Sequence, residues 1–300
     1  MEIYFLSLGM LLLGALLSVV VKEHWKFKVC SIFSFLSAGL MLLPATAVLL
    51  MGVPLVKTVY LSPICGNVDF VIDPLSAFFV IVISLMSFLG TVYANGYMKP
   101  YLDKGMNVSS HCFFLMMLIA SMLMVVTVQN ALFFLIVWEV MSLSSFFLVI
   151  FEGEKKEVIK AGVKYLVYMH FSVLFIMAAF VMLHLHSGSM NFADFAAYAH
   201  QGDKFASLIF MLAFVGFGIK AGFVPFHNWL PDAHPAAPSH VSAVMSGVMI
   251  KTGLYGILRV LFMLGTPTKC VAYIVFIVAL VTALYGILYA LDQRDLKKLL

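Results

Sequence analysis

Charged residues occupy only 11% of the 300 positions, where a soluble domain carries about a quarter. That shortage excludes a water-soluble globule. The four cysteines (Cys30, Cys65, Cys112 and Cys270) are scattered without Cys-x-x-Cys spacing, which gives no ligand set for zinc or an iron–sulfur cluster and no disulfide framework. They read as small apolar filler. No basic cluster interleaved with aromatics occurs, so the net charge of +4 is not a nucleic-acid footprint. Linkers, soluble domains, low-complexity tracts and internal repeats are missing too. Short segments of alternating polarity, the mark of a membrane β-barrel, do not appear. The first apolar run carries Glu2 in place of a basic leader and is followed by "SVVVKEH", with no small-residue cleavage site. It therefore reads as a retained span rather than a signal peptide.

What is present is apolar. Hydrophobic residues make up 63% of the chain, and the mean hydropathy is +1.07. Runs near 3–21, 29–51, 74–96, 111–128, 130–150, 161–184, 205–223, 240–263 and 271–291 each approach the ~20 residues that cross a bilayer as helix. The fold class is an all-α polytopic membrane protein of about nine transmembrane helices, embedded in lipid. Odd-numbered loops hold Lys22, Lys26, Lys28, Lys99, Lys104, Lys155, Lys156, Lys160, Arg294, Lys297 and Lys298, eleven in all. Even-numbered loops hold four: Lys57, Lys204, Arg259 and Lys269. The positive-inside rule then places the odd loops in the cytoplasm and the N-terminus outside. "FADFAAY", with Asn191 as its N-cap, reads as a short interfacial helix on the outer side. "DPLSAFF" opens the third span with Asp73 at the N-cap and Pro74 at the first helical position.

Five of the ionisable residues inside the apolar runs are candidates for an ion path. Glu139, in "ALFFLIVWEVMSLSSFFLVI", falls near the bilayer midplane. Lys220, in "FGIKAGFVPF", and Lys251, in "SGVMIKTGLYG", are too far from their span ends to snorkel. A charge at that depth costs about 2.5–3.5 kcal/mol, and such residues mark ion paths. Three together cost about as much as a domain's whole net stability, a load that packing alone does not explain. Ser142, one turn beyond Glu139, shares its face and can hydrogen-bond it. An ion pair of Glu139 with Lys220 is the structural alternative for those two residues. Lys164 lies about one turn inside the sixth span, within snorkelling reach of the cytoplasmic surface, and His170 sits deeper, where it can handle protons.

"IKAGFVPFHNWLPDAHPAAPSH" places Pro225 just after Lys220. Proline removes a ladder donor and clashes with the preceding turn, so the seventh span is expected to break there. Irregular backbone at membrane depth is tolerated only when buried in protein or facing a water-filled cavity. His227 follows the break by two residues, and Ser239 is the expected N-cap of the eighth span.

The run "KAGFVPFHNWLPDAHPAAPSHVSAVMSGVMIKTGLYGILR", with "WEVMSLSSFFLV", "DPLSAFF" and the terminal "ALYGILYALDQRDLKKLL", resembles the antiporter-like membrane subunits. These occur in respiratory NADH:quinone oxidoreductase, in membrane-bound hydrogenases and formate hydrogenlyase, and in multisubunit sodium/proton antiporters. "PAAPSHVSA" looks most like the hydrogenase-4 and formate-hydrogenlyase branch. The resemblance implies about fourteen helices and two inverted five-helix repeats, each with one broken helix, and a line of buried charges that conducts protons. Residues 1–110 would be three N-terminal helices, 111–265 the first repeat, and 266–300 the ninth helix and the start of a second repeat that these residues do not complete. Matched residue by residue, Glu139 and Lys220 look like the glutamate–lysine pair, Lys251 like the next relay lysine, and His227 like the histidine after the break. The implied protein is a proton-translocating subunit in the inner (cytoplasmic) membrane. It would hold no cofactor or redox centre of its own, and its partners would be the membrane and peripheral subunits of a hydrogenase or quinone reductase. Two alternatives stand beside it. One is a subunit of a sodium/proton antiporter, carrying Na+ as well as protons; the other is an assembly scaffold or fragment that does not transport.

Overall fold

A computed structural model describes residues 1–62, 66–103, 105–199, 205–265, 267–293, 295 and 297. Cys65 and several loop lysines used for orientation (Lys104, Lys204, Arg294 and Lys298) lie outside the described residues. Among those described, nine helical segments are long and apolar enough to cross a membrane, matching the nine runs above. The first five spans are α1 (Glu2–Val20), α2 (Glu23–Met51), α3 (Pro74–Tyr97), α5 (Val108–Val125) and α6 (Ala131–Val149), the last prolonged by a 3₁₀ turn to Glu152. A short α4 (Lys99–Asp103) lies between the third and fourth. The sixth is the long α7 (Lys156–Ser187), followed by the interfacial α8 (Phe192–Ala199). The seventh is divided into α9 (Ala206–Ala221), a 3₁₀ turn (Phe226–Trp229) and α10 (Leu230–Ala236). The eighth comprises α11 (Ser239–Val244), a π turn (Met245–Met249) and α12 (Lys251–Leu264), and α13 (Lys269–Leu291) is the ninth.

Helices pack side by side in the order α3, α2, α1, α5, α6, α7, α9 and α12, and α11 returns onto α3. Lipid tails are as apolar as leucine, so close packing and interhelical hydrogen bonds hold such a bundle together. The Ser7 and Ser37 hydroxyls meet at 2.7 Å between α1 and α2, and Tyr4 reaches Thr127 at 2.5 Å between α1 and the end of α5. Glycine lets α12 approach α9 closely. A Cβ on Gly253 would lie 2.6 Å from the Phe217 carbonyl oxygen, and one on Gly256 2.3 Å from the Phe217 ring. This contact seats the last turns of α9, where Lys220 stands, against α12. The least enclosed span is α13, in which Val271 is buried and most other described positions are exposed.

One element escapes the apolar-run reading. Residues 55–72 form an antiparallel hairpin, β1 (Leu55–Ser62) and β2 (Gly66–Ile72), with Leu55 opposite Ile72. The hairpin ties the end opposite α4 through Val71 N–H to Thr127 O (2.8 Å) and Gln129 N–H to Asp69 O (2.9 Å). At the same end Asp73 caps α3, accepting from Ser76 N–H at 2.8 Å as expected, and Pro74 fills the first helical position. Asp73 also takes both Arg259 nitrogens, at 2.5 and 3.0 Å. Burial raises the Asp73 pKa, but the Arg259 hydrogen bonds and charge prevail and hold it below the ordinary aspartate value.

Three capping expectations need correction. The side-chain oxygen of Asn191 accepts from Asn130 at 3.0 Å instead of capping α8. Ser239 is the first residue of α11, and Pro238 occupies the cap position. The seventh span ends at Ala221, before Pro225 is reached. Gly222 adopts φ +75°, and Phe223 N–H bonds Gly218 O while Gly222 N–H bonds Ile219 O, the Schellman closure. Pro225 follows a cis peptide bond and lies beyond a helix that has already stopped.

Candidate functional site

Lys220 lies in the last turn of α9 and is fully buried. The closure at Gly222 leaves helix carbonyls without ladder partners, and the negative end of the helix dipole favours a cation there. Trp229 Nε1–H takes one of these carbonyls, Ile219 O, at 3.0 Å. The ammonium donates to Tyr165 OH at 3.2 Å and Ser142 Oγ at 3.3 Å. It also stands 5.6 Å from the ring centroids of Trp138 and Tyr165. Trp138, Ser142 and Ser145 share the face of α6 that carries this contact, at spacings of four and three residues.

The protons of this cage have a definite direction. Ser142 Oγ–H donates to Trp138 O at 3.0 Å, and Ser145 Oγ–H donates to the Met141 and Ser142 carbonyls at 2.8 and 2.9 Å. A carbonyl only accepts, so with the Ser145 proton on those carbonyls Tyr165 donates across their 2.5 Å contact, with Met249 Sδ at 3.9 Å its other acceptor. Tyr165 and Ser142 then turn their lone pairs to Lys220. The cage offers two acceptors, which the ammonium fills with one N–H to spare and a neutral amine with none, so lysine can stay bonded in either protonation state.

Glu139 is not in that cage. No ion pair joins it to Lys220 among the described residues. Its Oε2 lies 4.0 Å from His170 Nε2, and its Oε1 is buried without a hydrogen-bond partner. Ser142, the residue expected to bond Glu139, turns to Lys220 because both lie on the face toward α9. The other ring nitrogen of His170 is 2.9 Å from Leu166 O, which can only accept, so Nδ1 carries a proton. A neutral His170 would then present a bare Nε2 to Glu139. Attraction between the two requires one more proton, on the imidazole or on the carboxyl.

The other expected residues are placed differently. Lys164 pairs with Asp232 of α10 at 2.8 Å, and both are well exposed. They line a cleft of about 790 Å³ with Lys160 and Pro231. Asp232 stands in the quoted "WLPDAHP" stretch but was not singled out; its first-turn position after Pro231 was the available signal. Lys251 is exposed in this chain rather than buried, and its ammonium bonds the Ser246 carbonyl inside the π turn. Five-residue spacing in that turn changes which carbonyls the ladder uses. His227 packs its ring 4.6 Å from that of Tyr285, with Nδ1 buried and unpartnered. It lines a cavity of about 260 Å³ with His234, Ser246, Tyr285 and Lys297. Val224 N–H bonds Thr282 Oγ1 at 3.1 Å, so α13 closes this cavity against the break.

Residues 128–300 match the family model described as NADH:quinone oxidoreductase/Mrp antiporter, transmembrane. Residues 64–108 match that of the NADH-ubiquinone oxidoreductase (complex I) chain 5 N-terminus. The chain is 45% identical over 231 residues to hydrogenase-4 component B of Escherichia coli (strain K12), an alignment covering 76% of this chain and 34% of that protein. It is 32% identical over 251 residues to a putative antiporter subunit mnhA2 of Staphylococcus saprophyticus, covering 82% of this chain and 30% of the other. The chain thus spans about a third of the length of these curated relatives. Its fold is similar to that of a chain in the membrane-bound sulfane sulfur reductase, an archaeal respiratory membrane complex. That match has TM-score 0.87 at 19% identity and covers all of this chain and 61% of the other. A chain of the Mrp complex from Dietzia sp. DQ12-45-1b also matches with TM-score 0.87, at 23% identity, covering 99% and 32%.

Proposed function

Because the chain belongs to the NADH:quinone oxidoreductase/Mrp antiporter family of membrane proteins, we propose that it moves protons as a subunit of a redox-driven complex of the hydrogenase or quinone-reductase type. Its membrane would be the cytoplasmic membrane. The observation that carries this reading is the fully buried Lys220 at the closed end of a broken helix, caged by two hydroxyls and no carboxylate. A lysine so placed loses water's solvation and keeps only two hydrogen bonds, so small movements of its neighbours change how firmly it holds a proton.

Transfer would run through groups that each hold one proton. The Glu139–His170 contact holds one, Lys220 holds another, and Ser142 and Tyr165 lie on the Lys220 side of α6 and α7. Closing the 4.0 Å gap between Glu139 and His170 fixes the Glu139 charge beside the cage, and opening it releases that charge. The switch is therefore the Glu139 contact with His170, with its effect on Lys220 electrostatic through space. On the far side of the break, His227 and the cavity shared with α13 offer a route toward Lys251. The antiporter relative favours one second reading, exchange of Na+ for protons in a multisubunit antiporter.

Proton uptake by vesicles holding the complete parent complex tests both. Lys220→Met should cut uptake to a small residual rate while leaving assembly intact. Uptake at the wild-type rate by that variant would refute the role of Lys220. A strict sodium requirement would select exchange over redox-driven pumping.

A further inference from the structure

Two histidines apart from the Lys220 line meet at the α4 end of the bundle. His111 lies in the first turn of α5 and His240 is the second residue of α11; they are 2% and 1% exposed. Their Nε2 atoms stand 2.7 Å apart, with ring centroids at 4.9 Å and planes at 69°. Both Nδ1 atoms are buried and have no hydrogen-bond partner.

Two facing ring nitrogens at hydrogen-bond distance admit one proton between them. Two bare nitrogens would repel, and two N–H groups would collide. The neutral pair therefore has one Nε2–H donating to one bare Nε2, and the second ring carries its proton on Nδ1. A further proton has one vacant place, the Nδ1 of the donating ring. Adding it makes the pair cationic without breaking the contact. A fourth proton on the pair would place two N–H groups face to face and part α5 from α11.

The surroundings leave that charge weakly opposed. Phe27 of α2 and Phe151 flank the His111 ring at 6.3 and 4.6 Å, and the Tyr97 ring of α3 stands 5.9 Å from His240. Cys112 is adjacent on α5, and Lys26 of α2 is turned to the Ser109 hydroxyl. Tyr97 contacts the Tyr101 ring of α4, whose hydroxyl donates to Glu152 at 2.7 Å. Lys297 donates to Ala237 O, three residues before His240. Glu152 is thus the acidic group of this cluster, set behind two tyrosines, with Lys26 and Lys297 on the other sides. On α11, Ser242 lies 3.3 Å from His234 Nδ1, and His234 lines the cavity at the break. The dyad is therefore connected to that cavity through one short helix.

We propose that His111 and His240 form a proton-binding dyad, in which one proton bridges the two Nε2 atoms, a second stays on Nδ1 of the accepting ring, and an exchangeable third binds Nδ1 of the donating ring. The lysine distribution assigns this end of the bundle to the cytoplasm, so the dyad takes its proton from that side. Its part in transport rests on the proton-moving function proposed above; its proton content does not.

Magic-angle-spinning NMR of the complete complex in lipid, labelled with 15N-histidine, reads the dyad directly. One protonated and one bare Nε2, correlated through a shared proton and lost in His111→Gln, are expected at neutral pH. Burial among aromatic rings, with Lys26 and Lys297 nearby, disfavours the cation. Acidification therefore has to pass below the range in which a solvated histidine titrates before the second Nδ1 is protonated with the bridge retained. Proton uptake by the same complex should lose its change over that acidification in His240→Gln, and again in His240→Asn. Absence of the nitrogen–nitrogen correlation in the wild type, or no protonation of the second Nδ1 with the bridge retained, overturns the dyad whatever the variants do. Uptake profiles of both His240 variants superimposable on the wild type overturn its part in transport. A wild-type complex that moves no protons would instead refute the proposed function and leave the NMR result to stand alone.

Discussion

Tyr165→Phe is a stringent test of the hydroxyl cage. The change keeps the ring, and with it the 5.6 Å contact with the ammonium and the packing against Trp229 at 5.1 Å. It removes one oxygen, which accepts from Lys220 at 3.2 Å and donates to Ser145 at 2.5 Å. Ser145 is left satisfied, because its own proton goes to the Met141 and Ser142 carbonyls. The loss therefore falls on Lys220. A hydrogen bond to a charged group is worth about 1.5–3 kcal/mol, and 3.2 Å is long for one made by a cation, so the low end applies. About 1.5 kcal/mol is roughly a tenfold change in an equilibrium constant. Removing it from the ammonium form should slow proton uptake by the assembled complex about tenfold, because that form is the one the cage holds ready.

The measurement is uptake in vesicles at fixed pH, normalised to assembled protein. Ser142→Ala should give a loss of similar size, since its bond is 3.3 Å. On a Lys220→Met background neither change should lower the residual rate further, because each acts only through the lysine. Wild-type uptake by Tyr165→Phe, or an equal loss with and without Lys220, would show that the hydroxyl serves packing and refute the cage.

Gly222→Ala should destabilise the chain by about 1–2 kcal/mol from its left-handed backbone alone, and its Cβ would lie 2.1 Å from Leu230 Cδ1; thermal unfolding in detergent reads this. Pro225→Ala should leave the break in place, and a larger thermal shift or uptake loss than in Gly222→Ala would return the break to the proline. The Lys164–Asp232 pair is exposed at 38% and 44%, so a double-mutant cycle on thermal stability should give a coupling under about 1 kcal/mol, and a larger value would mean that lipid or another subunit covers it. Removing Asp73 alone should cost about 3 kcal/mol, the low end for breaking a buried pair, because Arg259 is left buried without its partner. The Asp73 pKa is lower folded than unfolded, so this contribution is present above the ordinary aspartate value and is lost as pH falls through the lowered one. The unfolding-temperature gap between wild type and Asp73→Asn should therefore be constant from neutral to mildly acidic pH and close only below about pH 4; closure near neutral pH would contradict the assignment. In a cysteine-free background, Met190→Cys should label from outside sealed cells and Lys155→Cys should not, and the reverse pattern would invert the topology.

The spans were legible because the signal is additive: twenty apolar residues in a row admit few structures, and the Asp73–Pro74 helix start is chemistry within two positions. The hairpin at 55–72 was not, since "LVKTVYLS" alternates over only eight residues and its pairing depends on a turn rather than on lipid. The break was placed near the right residue for an incomplete reason. Pro225 is the stronger breaker in a sequence, but a left-handed glycine with a complete Schellman closure ends α9 three residues sooner. Glu139, His170 and Lys220 were visible because charge in lipid is rare. Their partners were legible only in part: Ser142 was expected beside Glu139 and bonds Lys220 instead, and Tyr165 is unremarkable until α7 brings it to α9.

That difference bears on how the site works. A carboxylate in direct contact with Lys220 would make a strong pair that opposes release of its proton. Hydroxyls hold the ammonium without adding a countercharge, so the cage leaves the proton exchangeable. The countercharge stands one position away on α6, committed to His170 across a gap too long for a hydrogen bond. In that arrangement the hold of the cage on Lys220 depends, through space, on how near the Glu139 carboxylate stands to His170 or to the cage. Replacing His170 with Gln removes the titrating partner and leaves the carboxylate and the cage in place. The site then keeps its lysine but loses the proton that links Glu139 to α7. On the proposed function, the arrangement with Glu139 set apart from Lys220 lets a change at α7 alter the hold on the lysine through space, without breaking a direct ion pair.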